Sequence, residues 1–65
     1  MAMTLGAWRR AKKITQGEMA EKLNVHINTY QNWEKAPEKI SIAHAIMICN
    51  ILGLSLNDVE FRAEA

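Results

Sequence analysis

Three uncharged amides, Asn28, Gln31 and Asn32, fall within one five-residue window of the segment TQGEMAEKLNVHINTYQNWEK, residues 15–35. On a helix, that spacing puts all three on one face. A side-chain amide presents a donor and an acceptor side by side, a pair that matches the N6 and N7 edge of adenine in the DNA major groove. A face meant only for solubility is better served by Lys and Glu. Taken singly, each amide is at home on a solvated helix. Grouped directly after a tight turn between two helical runs, they favour base reading.

Other chemistry is sparse. The chain holds no nucleophile–base constellation, no Gly-rich phosphate loop and no carboxylate pair with an obvious cleft, so an enzyme is not expected. One Cys and two His make no structural zinc site, and His44 and Cys49, five apart on one helix, have poor ligand geometry. No metal, cofactor or small-molecule ligand is therefore expected. Cys49 lies on an apolar stripe and reads as an inert core thiol. Trp8, Tyr30 and Trp33 stand at inward positions and read as packing; stacking on splayed bases is a single-strand habit.

The elements that must position the amides are helical. The pattern predicts five short helices, about 5–13, 16–23, 27–35, 42–52 and 56–62, and no strands. Thr4 caps the first, with Leu5 and Trp8 inward. Thr15-Gln16-Gly17-Glu18 is a capping box, with Ile14 placed as a hydrophobic staple. Met19, Ala20 and Leu23 have core spacing, and Asn24 suits a left-handed helix end. Val25-His26 is the turn, and Tyr30 and Trp33 face inward from the third helix. Pro37 makes APEKI a connector. Ser41 caps the fourth helix and Gly53 stops it. Its apolar stripe is Ile42, Ala45, Cys49 and Leu52, widened by Ile46 or Ile48. Met47 and Ile51 are left over, and a helix apolar nearly all round is usually buried on more than one side. Ser55 to Asp58 opens the fifth helix with a second box.

A chain of 65 residues makes one all-α domain with a limited core. The N-terminus has no apolar secretory core, and ISIAHAIMICNILGL is too short to span a membrane and is broken by His44 and Asn50. A cytoplasmic location is expected. Net charge is only +1 but is unevenly spread. Residues 1–35 hold six basic side chains against three acidic, and residues 36–65 hold two against four. That asymmetry points mildly to an anionic partner at the front.

LGAWRRAKKITQGEMAEKLNVHINTYQNWEK, followed by ISIAHAIMICNILGLSLNDV, resembles the lambda-repressor-like, XRE-type helix-turn-helix family, which includes phage Cro and repressor proteins. The resemblance covers about residues 4–61. ITQGEMAEKLNV, YQNWEK and ILGLSLNDV are its most specific marks. It implies a compact five-helix domain. It implies that Thr15 and Gln16, with their backbone N–H groups, grip phosphate, and that Ile27, Asn28, Gln31 and Asn32 face the bases, Ile27 against a thymine methyl. Gly17, costly in a first helical turn, is explained by close approach of the DNA backbone or by a frayed helix start. It further implies an ion pair of Arg9 with Glu34 that brings the guanidinium near the backbone. Lys35 and Lys39 match phosphate contacts, and Arg10 and Lys13 are looser candidates. Asn24 stands where the family usually has Gly. His26 stands where a Ser or Thr cap is usual; imidazole is a poorer cap, which leaves His26 open as a phosphate or base contact.

Two functions are compatible with this pattern. One is a sequence-specific regulator that binds double-stranded DNA as a homodimer over a pseudo-palindrome, one recognition helix per half-site. Met47, Ile51, Leu54, Leu56 and Phe61, with Val59, are the candidate dimer contacts. A complete chain of this length would be controlled by concentration and operator competition, as in a Cro-like protein. The other is a protein-binding module of the same fold, an antitoxin-like or anti-repressor partner.

Overall fold

The computed structural model describes residues 2–61. Among them, four α-helices run α1 Leu5–Ala11, α2 Gln16–Leu23, α3 Ile27–Lys35 and α4 Ile42–Leu52. Short 3-10 turns lie at Pro37–Lys39 and Leu56–Asp58, and two-residue strands, β1 Met3–Thr4 and β2 Val59–Glu60, close the ends.

The helix starts are written locally. The Thr4, Thr15 and Ser41 hydroxyls each accept from the backbone N–H three residues on. The Thr15 box is complete, since Glu18 Oε1 accepts from the Thr15 N–H at 2.9 Å. That bond, with the Thr15 hydroxyl, holds the Glu18 carboxyl below its ordinary pKa.

Three helix ends share one device. Lys13, Asn24 and Gly53 take left-handed φ values of 59°, 56° and 71°. In each case the next residue bonds back to a carbonyl five residues earlier: Ile14 to Arg9, Val25 to Ala20 and Leu54 to Cys49. This is the Schellman arrangement, and its apolar follower folds onto the helix it ends. Ile14, Val25 and Leu54 all pack against the core. The device corrects the first helix, expected to reach 13, which ends at Ala11. Lys13 turns the chain there so that Ile14 can be buried and Thr15 can start α2.

The fifth helix is also corrected. Residues 56–58 make a single 3-10 turn, and Val59 is extended. Asp58 Oδ2 accepts from the Ser55 N–H and hydroxyl, so the expected start is present. Trp8 Nε1 donates to the Asp58 carbonyl at 2.6 Å, which ties this turn to α1. Val59 and Glu60 then pair in parallel with Met3 and Thr4. The expectation of no strands is overturned by this pair. Arg62, the expected end of the helix, lies outside the described residues.

The core is Leu5, Met19, Ala20, Leu23, Tyr30, Ile48, Cys49, Leu52 and Val59. Trp8 and Trp33 pack on it from the rim. The stripe on α4 is the expected one at Ala45, Cys49 and Leu52, and Ile48, not Ile46, widens it; only Ile42 falls outside it. Ile48 is fully buried, whereas Ile42, in the first turn, is 77% exposed. Burial pushes the Cys49 thiol pKa up, as does the Asp58 charge. His44 lies on Trp33, ring centroids 4.8 Å apart, with Nδ1 2.8 Å from the Ser41 hydroxyl. No helix among the described residues is long and apolar enough to cross a membrane.

Candidate nucleic-acid interface

α2 and α3 are joined by Asn24-Val25-His26, and α3 presents one face to solvent. Tyr30 anchors the helix in the core, and Trp33 and Glu34 are half-buried beside it. Asn28, Asn32 and Lys35, at i, i+4 and i+7, form the opposite, exposed face. Ile27 is 39% exposed at the N-terminal end of that face. Gln31 is half-buried and turned toward α2, where its Nε2 donates to Gln16 Oε1 at 3.2 Å.

His26 caps α3. Its Nδ1 accepts from the Asn28 N–H at 3.1 Å, which sets Ile27 as the first helical residue. An accepting Nδ1 in neutral imidazole leaves the proton on Nε2, so the exposed ring can still donate outward. The capping role and an outward contact are therefore compatible.

The α2 N-terminus lies beside this face. Thr15 and Gly17 are exposed, and Gln16 is half-buried because its amide is engaged on both sides. The first backbone N–H groups of a helix have no intrahelical partner and favour an anion. A Cβ at Gly17 would meet only Ile27 Cδ1 and Thr15 Oγ1, both at 3.9 Å, which is ordinary contact. Nothing inside the fold requires glycine there. Gly17→Ala is therefore expected to raise stability by about 0.5–1 kcal/mol. If a DNA backbone approaches this position, the same variant binds duplex less tightly. Urea unfolding and a DNA titration on one preparation read the two effects, and an unchanged affinity would leave Gly17 without a role at the interface.

Arg9 is placed inside. It is 8% exposed, its Nε donates to Glu34 Oε2 at 2.6 Å, and Nη1 donates to the Ile14 carbonyl at 2.8 Å. It ties α1 to α3 and to the turn before α2. Burial acts to raise the Glu34 carboxyl pKa, but hydrogen bonds from Arg9 and Gln16 and the guanidinium charge outweigh it, so the net shift is downward. The neighbouring Tyr30 hydroxyl also favours the carboxylate, although it is buried without a partner in bonding geometry. Burial, and then that carboxylate, push the Tyr30 phenol up, so it stays neutral. Arg10 and Lys13 are exposed on the α1 side.

Lys35 and Lys39 flank a shallow groove of about 340 Å³ that also takes in Thr29, Asn32 and Trp33. Thr29 was missed in the sequence. It stands three residues before Asn32, at a spacing that could have drawn attention to it. Gly6 was also missed. A Cβ there would come within 3.1 Å of Arg10 Nη1 and of Glu34 Oε1, so glycine lets α1 sit against the ion pair.

Neither the curated proteins nor the solved structures yield a match to this chain. Comparison with known families matches residues 5–59 to helix-turn-helix, a span running from the first residue of α1 to the first of β2. With most of its length matched, the chain belongs to the lambda-repressor-like, XRE-type helix-turn-helix family of DNA-binding regulators.

Proposed function

We propose that the chain is a small Cro- or repressor-like transcription regulator of the cytoplasm that reads a pseudo-palindromic operator as a homodimer, with α3 in the major groove. The observation that carries this reading is the outer face of α3. It combines exposed Asn28 and Asn32 with Lys35, and it stands next to the N-terminus of α2, where the Thr15 cap takes the Glu18 N–H and leaves those of Gln16 and Gly17. In this reading Ile27, Asn28, Gln31 and Asn32 face base edges. Thr15, Gln16, Gly17, Arg10, Lys13, His26, Lys35 and Lys39 follow the phosphates, and Arg9 acts by holding α1 to Glu34.

The dimer candidates divide by exposure. Ile51, Leu54 and Phe61 pack partly on the chain's own core, whereas Met47 and Leu56 are 41% and 46% exposed. Ile42 and Ile46 are exposed as well. The contact between copies is accordingly assigned to Met47 and Leu56, with Ile51, Leu54 and Phe61 at its edge. The same exposed residues support the second reading, a module that docks on another protein.

Selection from a random double-stranded pool at moderate salt tests both. Enrichment of half-sites about 10 base pairs apart supports the operator reading. Asn32→Ala is then expected to lose about 1–3 kcal/mol of discrimination at one base position and little elsewhere. No enrichment, with no retention at low salt, favours the protein partner.

A further inference from the structure

A chain of hydrogen bonds starts in the protein interior and ends beside the reading face. Arg9 Nε donates to Glu34 Oε2 at 2.6 Å, Gln16 Nε2 donates to Glu34 Oε1 at 3.0 Å, and Gln31 Nε2 donates to Gln16 Oε1 at 3.2 Å. A primary amide fits its site either way round, and only its partners choose between oxygen and nitrogen. Here the first partner makes the choice for the rest. An ionised carboxylate only accepts, so Gln16 must turn its NH₂ toward Glu34 and its carbonyl toward Gln31. Gln31 must then donate. One of its two N–H bonds is spent inward, and its Oε1 has no hydrogen-bond partner among the described residues. The three residues border one open groove of about 420 Å³ together with Lys35.

We infer that Glu34, acting through Gln16, sets the polarity with which Gln31 meets a base, so that Glu34 and Gln16 are positioning residues for sequence specificity. The inference rests on the DNA-reading role proposed above and adds a base class to it. The carbonyl and one N–H that Gln31 has left match an edge carrying a donor, above all N6 and N7 of adenine. Guanine offers two acceptors, O6 and N7, and asks for two donors. Gln31 has only one donor to give while the other is held by Gln16. The base facing Gln31 is therefore adenine in preference to guanine.

The network is tested first without DNA. In the free, isotope-labelled protein, the side-chain amide resonances of Gln31 shift in Gln16→Ala and in Glu34→Gln. Unmoved resonances in both variants overturn the inference and leave the DNA reading standing. The operator recovered by selection then supplies the probe. The base facing Gln31 is the position at which Gln31→Ala alone loses its preference. Wild type is expected to bind adenine there over guanine by about tenfold, and Gln16→Ala to lose most of that ratio, while the preferences facing Asn28 and Asn32 hold. Gln16→Ala keeps the Arg9–Glu34 pair, so it serves even if Glu34→Gln folds poorly. A fall in overall affinity with an intact ratio would assign Gln16 to phosphate contact only and overturn the inference. So would a wild-type preference for guanine, or no position at which Gln31→Ala matters. Failure of the pool to yield any operator overturns the DNA reading and this inference with it.

Discussion

Replacing Arg9 with methionine lowers the stability of the domain by about 3–5 kcal/mol, the loss expected when one partner of a buried pair is removed. The side chains of Arg9 and Glu34 are 10% and 11% exposed, so water does little to screen what remains. The orphaned carboxylate keeps the Gln16 hydrogen bond and the neighbouring Tyr30 hydroxyl, and the Ile14 carbonyl loses its donor. A single-core domain of this size rarely has more than about 3–5 kcal/mol to lose, so Arg9→Met should be largely unfolded at room temperature. Circular dichroism against urea reads this directly. The double variant Arg9→Met, Glu34→Leu should recover much of the loss, because an apolar pair of similar volume replaces a buried ion pair at little cost. A single variant within about 1 kcal/mol of wild type would mean that the pair behaves as a surface salt bridge.

The same pair gives the domain an acid limit. The Glu34 and Glu18 carboxyls are both held below their ordinary value of 4.5. A carboxyl whose folded pKa is depressed contributes stability above its unfolded pKa and loses it as pH falls through the folded value. Stability should therefore hold from neutrality to about pH 5 and decline below the ordinary carboxyl pKa. Removing both partners should flatten that decline, leaving the part due to Glu18. Urea midpoints measured at several pH values check the sign; equal slopes in wild type and the double variant would refute it.

Ile48→Ala should cost about 2–5 kcal/mol, and Ile42→Ala less than about 0.5 kcal/mol. Ile48 is fully buried in the middle of α4, among Met19, Tyr30, Cys49 and Leu52 in one cluster. Truncating it removes apolar contact and leaves a cavity that the rigid helices around it only partly fill. Ile42 is 77% exposed and has little to lose. Both variants should be compared at concentrations where the chain is monomeric, so that a contact between copies does not enter. The reverse order of effects would mean that α4 is rotated about its axis relative to this structure.

That pair of isoleucines marks a boundary between local and tertiary information. The capping box at Thr15, the caps at Thr4 and Ser41, and the left-handed ends at Asn24 and Gly53 depend on residues within a turn of one another. Their hydrogen bonds close inside short segments, so residue type and spacing are enough to place them. The grouping of Asn28 and Asn32 opposite Tyr30 follows in the same way from helical period.

The features that were not legible depend on distant partners. Helical period places Ala45, Cys49 and Leu52 inward on α4, but because α4 is apolar nearly all round it cannot say that Ile48 and not Ile42 completes the buried face; packing makes that choice. Ser55 and Asp58 form their local box whether or not a helix follows. Instead of a helix, Val59 and Glu60 pair with Met3 and Thr4, and Trp8, fifty residues earlier, donates to the Asp58 carbonyl. Lys13 carries no mark of a left-handed residue; burying Ile14 puts it there. The i, i+3 spacing of Gln31 from Asn28 places it on the outward face. Its inward bond to Gln16 exists because α2 and α3 pack side by side and the Glu34 carboxylate orients the Gln16 amide between them. Residue type and spacing are enough to place the helix starts, the ends of α2, α3 and α4, and the polar face of α3. Tertiary packing sets where α1 stops, why residues 56–60 make no α-helix, that Ile48 and not Ile42 completes the buried face of α4, and that Gln31 turns inward, since each of those depends on groups far apart in the chain.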